Sequence, residues 1–144
     1  MTDEERRRVV PASWPYSVGM YEAFAALKQA GFTAYCCGDR RLPHVLVTAY
    51  VWGDSHVDVV NVRGANRVTT ARLPNHDGSL DIFAPHQVVW HYMGAVEVAV
   101  RALLRLPRPG HPDAPTVAYP APLTLFVPSC EQRPMTVKPG RGGL

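Results

Sequence analysis

The stretch from Pro85 to Leu106, PHQVVWHYMGAVEVAVRALLRL, constrains the fold most, because it is the longest run with one clear period. Val89, Met93, Val96, Val100 and Leu103 recur at alternating steps of four and three, which places them on one side of a helix. Gln87, His91, Arg101 and Arg105 fall on the other side. The spacing predicts a helix over 86–106, with Pro85 in its first turn and Pro107 as its stop. A stripe this apolar has to be covered by a sheet or a second helix.

The preceding sequence supplies a sheet. Val45 to Trp52 alternates, with Val45, Val47, Ala49 and Val51 on one side and Leu46, Thr48, Tyr50 and Trp52 on the other. Both sides are largely apolar, so this strand is expected to be covered on both faces. Gly53-Asp54-Ser55 and Gly64-Ala65-Asn66 are turn sequences, and the runs 56–63 and 67–73 between and after them again alternate. Phe32 to Cys37 reads as a further short strand, ended by the loop Gly38-Asp39-Arg40-Arg41. Connections this short require antiparallel neighbours. Ser17, a candidate N-cap, precedes Met20, Tyr21, Phe24 and Leu27 at helical spacing, and Gly31 follows, which predicts a first helix at 17–30. The expected fold class is therefore α+β. It is a two-layer sandwich of about four antiparallel strands, with helices 17–30 and 86–106 on one face.

The ends differ from this domain at 17–106. Residues 1–16 read as a charged arm leading into the Pro-punctuated PASWPY. From Pro107 onward nine of 38 residues are proline, which predicts a tail at 107–144 without a packed core. Within it, Leu123 to Val127 is apolar and β-favouring, and is expected to add one strand to the sheet or cover exposed core.

Length and composition suit one soluble domain: 144 residues, 47% hydrophobic, with no apolar run near the ~20 residues that span a bilayer. The charged start, MTDEERRRVV, has no apolar core of a secretory leader, and Cys36, Cys37 and Cys130 make no disulfide framework. A cytoplasmic location is the expectation. Eight basic and seven acidic residues between Ser17 and Leu106 leave the domain almost neutral, which disfavours a nucleic-acid surface.

Four groups could carry chemistry. His76, Asp77, Asp81, His86 and His91 lie within 16 residues and include good zinc ligands, but His86 and His91 are five apart and do not share a helix face. Cys36 and Cys37 precede Arg40, Arg41 and His44, a setting that could activate a thiolate; one of two adjacent strand residues must nonetheless face the core. Trp90, His91 and Tyr92 diverge by about 100° per residue on a helix; with Trp52, Tyr50 and Tyr35 they could line a pocket or partner surface. Arg63, Arg67 and Arg72 sit among the strands without any base-reading pattern. The nucleotide-binding glycine loops, the C-x-x-C motif and the G-x-S-x-G elbow are absent.

No catalytic residue, metal ligand or cofactor is assigned from the sequence. The expected functional corner is His76, Asp77, His86, Trp90 and His91, beside the strand of Cys36 and Cys37. The expected function is a small non-enzymatic protein-interaction or adaptor module whose partner is another protein or a second copy. The alternatives are a metal-dependent or cysteine-based enzyme at the 76–91 junction, and a nucleic-acid accessory protein.

Overall fold

The alternation of residues 33–74 becomes a four-stranded antiparallel meander in the computed structural model, which describes residues 18–39, 43–76 and 78–140. Its strands are β1 (Thr33–Gly38), β2 (Pro43–Trp52), β3 (His56–Gly64) and β4 (Arg67–Pro74). Gly53 takes a positive φ of 55° in the β2–β3 turn, and the Ser55 amide donates to the Trp52 carbonyl at 3.2 Å. The register follows: Trp52 faces His56, and Tyr50 faces Asp58.

Two further strands extend the sheet beyond the expected four. β6 (Trp90–Gly94) joins β4, and β8 (Met135–Lys138) joins β1, giving six strands in the order β6-β4-β3-β2-β1-β8. A separate two-stranded ribbon pairs β5 (Gln87–Val88) with β7 (Tyr119–Pro120).

The helix expected over 86–106 is corrected by β6. Only Val96–Leu104 is helical, here α2, and the half before it is strand. Residues 89–93 are β-branched, aromatic and long side chains that suit a pleated surface. The open edge of β4 offers them backbone partners: Val89 donates to the Arg72 carbonyl at 2.9 Å, and Trp90 to Gly94 pair with Arg72 to Val68. The helical period holds only from Val96 onward. Val96, Ala99, Val100 and Leu103 are buried, whereas Met93, assigned to the same stripe, is 51% exposed. The α2 N-terminus is anchored where Val96 donates to the Ala65 carbonyl in the β3–β4 turn.

α1 (Val18–Gln29) lies within its expected span. Gly31 ends it at φ 94°, with the Gly31 and Phe32 amides returning to the Lys28 and Leu27 carbonyls. Both helices pack on one face of the sheet. Met20, Ala23 and Leu27 of α1 meet Val96, Ala99, Val100 and Leu103 of α2 over Val60, Val62 and Val68.

The other face is closed by the chain itself. Val45, Val47, Ala49, Val57, Val59, Ala71 and Leu73 lie beneath Ile82, Val88, Leu125 and Val127. The Asn61 amide donates to the Leu125 carbonyl at 3.4 Å, the Thr69 hydroxyl to that of Thr124 at 2.8 Å, and Arg63 to the Phe126 carbonyl at 3.1 Å. The Val127 amide donates to the Phe83 carbonyl at 2.7 Å.

The segment from Pro107 to Gly140 therefore contributes to the core, which its proline content argued against. Prolines remove ladder donors but do not prevent an extended segment from sending alternate side chains inward. Leu125 and Val127 point in, while Leu123 and Phe126 point out. The strand expected near 123–127 is instead a turn of 3-10 helix at Leu123–Leu125, and the strand contributed to the main sheet is β8. A short helix, α3 (Ser129–Gln132), links the two. Among the described residues, no helix is long and apolar enough to cross a membrane. The expected arm at residues 1–16 lies outside the described residues.

Candidate functional site

One row of side chains crosses the helix-covered face from strand to strand: Tyr50, Asp58, Arg72 and Trp90, each opposite the next in register. Alternation forces this, since Asp58 lies between Val57 and Val59 and Arg72 between Ala71 and Leu73, all four on the opposite face. A carboxylate and a guanidinium are thus placed where hydrophobic residues would be expected. Both are buried, Asp58 at 3% and Arg72 at 1% exposure.

They neutralise one another. Arg72 Nε donates to Asp58 Oδ1 at 2.7 Å and Nη2 to Oδ2 at 3.0 Å, a bidentate pair. The Trp52 indole Nε1 donates to the same Oδ2 at 2.9 Å. Arg72 Nη1 donates to the Pro107 carbonyl, tying the exit of α2 to the sheet, and the guanidinium carbon sits 5.7 Å from the centre of the Trp52 ring.

Above this pair the two helices end, α1 at Gln29 and α2 at Leu104, and the described residues roof the far end of β2 only in part. A recess of about 490 Å³ opens there. Its wall is aromatic: Phe32 and Tyr50 rings lie 5.6 Å apart, and Tyr50 meets Trp52 edge-on at 4.8 Å. Asp58 lies at its floor, Leu103, Leu104 and Leu106 form the side, and Arg108 and His111 stand at the rim. The volume is that of a small-ligand site, and the mix of apolar walls with a few polar groups is typical of one.

The residues singled out in the sequence separate into three places. His76 and His86 are exposed and, with Asp81, line a shallow polar groove of about 260 Å³ beyond the end of β4; Asp77 lies outside the described residues. Trp90 packs against the helix-side core. His91 faces the opposite side, where its Nδ1 lies 2.7 Å from the Tyr119 hydroxyl. Cys36 and Cys37 are on β1, three strands from β4, roughly 14 Å at the usual strand spacing. Cys37 is fully buried, and burial, reinforced by neighbouring Cys36, pushes its thiol up to about 11, away from the thiolate that nucleophilic chemistry needs. His76, His86 and His91 therefore do not converge with the cysteines; His44 lies on β2 beside the end of β1, next to a Cys37 thiol that burial keeps protonated. Among the described residues, no three His, Cys, Asp or Glu side chains are placed to hold a metal ion.

Two of the strand arginines are engaged internally: Arg63 pairs with Glu131 at 3.2 Å, and Arg72 with Asp58. The sequence reading placed Tyr50 and Trp52 at a possible pocket, and they line this one; Tyr35 points to the other face, against Phe83. Phe32, Asp58, Arg108 and His111 were not singled out, and Arg72 was named only with Arg63 and Arg67, not as the partner of Asp58. The signal for the pair was present, as single charges in the centres of Val-Asp-Val and Ala-Arg-Leu.

No family model matches the chain, and neither the search of curated proteins nor that of solved structures gives a match.

Proposed function

We propose that the chain is a small non-enzymatic binding module and that it binds through the recess between Trp52 and the end of α2. The observation that carries this reading is the state of Asp58. Both its oxygens are already bound, by Arg72 and Trp52, so the carboxylate in the recess holds the walls in place instead of moving a proton. What the recess offers a ligand is ring faces and leucine side chains, a surface for an apolar, ring-bearing group. The three free cysteines agree with a reducing, cytoplasmic compartment.

The test is chemical-shift mapping with a neutral ring such as indole. The expected result is perturbation centred on Tyr50, Trp52 and Leu103. Perturbation centred on the His76–His86 groove, or none, would contradict the reading.

Self-association is a second reading, favoured by the β6 edge. Among the described residues β6 has no neighbour on its outer side within the sheet, and Tyr92 and Met93 are exposed on it, with Thr124, next to the highly exposed Leu123, reaching Met93. An open apolar edge is a template for pairing with a second copy. Sedimentation of the native protein against a Met93→Lys variant tests it: a wild-type dimer that the variant dissociates supports the edge, and a monomer at all concentrations refutes it.

A further inference from the structure

The rim of the recess carries a cation that the fold does not use. Residues 108–111, Arg-Pro-Gly-His, form a turn in which the His111 amide donates to the Arg108 carbonyl at 3.0 Å and Gly110 takes a φ of 91°. Proline followed by a positive-φ glycine is the type II pattern, and it brings the first and fourth residues side by side. Arg108 and His111 are those residues, and both border the recess.

The charges can be counted. Asp58 and Arg72 cancel in the floor. The Arg108 guanidinium has no ion-pair or hydrogen-bond partner among the described residues. His111 Nδ1 accepts from the Asp113 amide at 3.0 Å and lies 3.9 Å from the carboxylate of Asp113, whose side chain is 83% exposed, which leaves the His111 Nε2 position for a ligand. The C-terminal carbonyls of α2 would favour a cation, but several are already taken: Arg101 O by the Arg105 amide, Leu103 O by that of Leu106, and Pro107 O by Arg72. A ligand ammonium seeking the Trp52 ring would meet the guanidinium of Arg72 already there. The Tyr50 hydroxyl has no partner among the described residues either.

We infer that the recess takes a small organic anion, a carboxylate attached to a flat apolar ring system. The ring seats against Phe32 and Tyr50, and the carboxylate is held at the rim by Arg108, with His111 and the Tyr50 hydroxyl as neighbouring polar groups. Arginine suits this task because its planar fork matches a carboxylate with two parallel hydrogen bonds. This assignment rests on the recess being the binding surface, and it adds the class of ligand.

The test uses three probes that share one ring and differ in charge: indole-3-acetate, indole-3-acetamide and tryptamine. Each is titrated into the full chain at pH 7.5, with affinity from calorimetry and location from the Tyr50 and Trp52 resonances. The acetate is expected to bind about tenfold or more tightly than the amide, the margin typical of a charge-assisted hydrogen bond, with tryptamine weakest. Arg108→Gln, at an exposed position, is expected to remove the acetate's advantage while leaving the amide within about twofold of its original affinity. Equal binding of acetate and amide, or an advantage that survives Arg108→Gln, overturns the anion assignment. In those cases ring-dependent shifts at Tyr50 and Trp52 would still uphold the binding reading. If no probe of any charge shifts these residues, both readings fall.

Discussion

Replacing Asp58 with alanine should destabilise the fold more than its single side chain suggests. The substitution removes a carboxylate that accepts from Arg72 Nε, Arg72 Nη2 and Trp52 Nε1, at 2.7, 3.0 and 2.9 Å. Arg72, at 1% exposure, is left charged with the Pro107 carbonyl as its remaining hydrogen-bond acceptor, and the indole N–H loses its acceptor. Breaking one side of such a buried pair costs about 3–5 kcal/mol, because the surviving charge stays buried without compensation. Against a total stability of about 5–15 kcal/mol for a domain, that is a large share. Urea unfolding followed by tryptophan fluorescence reads it directly: with a slope of about 1–3 kcal/mol per molar, the midpoint should fall by roughly 2 M. The double variant Asp58→Leu/Arg72→Met replaces both charges with apolar groups and should recover most of the loss, since buried pairs are often no better than a well-packed apolar substitute. An Asp58→Ala loss below about 1 kcal/mol, or a double variant as unstable as the single, would refute the claim that this pair is buried and mutually dependent.

Three further outcomes follow from the same structure. Thr48 Oγ1 is buried without a hydrogen-bond partner among the described residues, so Thr48→Val should raise stability by about 1 kcal/mol in denaturant unfolding, whereas a loss would mean the hydroxyl has an acceptor. Burial, then Arg72 and His76, lowers the His56 pKa below its ordinary value of 6.5; the unfolded chain thus binds the proton more readily, and stability falls as pH drops through 6.5 towards the folded value. Unfolding curves from pH 8 to 5 should show that decline lessened in His56→Gln, and identical pH profiles would contradict it. With iodoacetamide at pH 8, exposed Cys130 should be alkylated quickly and Cys37 only after unfolding, as mass spectrometry of the native protein would reveal; early labelling of Cys37 would place it outside the core.

The meander was legible because its information is local. The glycines and polar residues at 53–55 and 64–66 set the turns, and alternation along β2, β3 and β4 sets the faces. α1 was legible for the same reason. The identity of 90–94 was not, because the same apolar spacing fits one helix face, and what decides is the unpaired edge of β4, about twenty residues earlier in the chain. The second covered face of β2 was anticipated, and cover by the 123–127 run was one of its two expected roles; what proline content hid is how much of the rest of the segment packs, and that this run covers as a 3-10 turn rather than as a strand. As for the site, Tyr50 and Trp52 were visible as aromatic residues on one side of a strand. The Asp58–Arg72 pair was not, because two isolated charges become partners only once register is known. The His76–His91 cluster is close in sequence, yet strand alternation and the β5–β6 path send Trp90 and His91 to opposite faces.

Assigning binding to the aromatic recess depends on the opposite face of the sheet being closed by the chain's own C-terminal segment. Native-state hydrogen exchange at the Val127 amide measures that closure. The amide donates to the Phe83 carbonyl at 2.7 Å beneath a side chain that is 1% exposed. It should be protected to a degree approaching that of the β2–β3 amides, because it can open only when the layer over Val45, Val47 and Val59 lifts. Exchange of Val127 at the rate of an unstructured chain, with β2 and β3 still protected, would contradict the account: the segment would then be a loose tail, and the exposed valine face would become the surface where a partner binds.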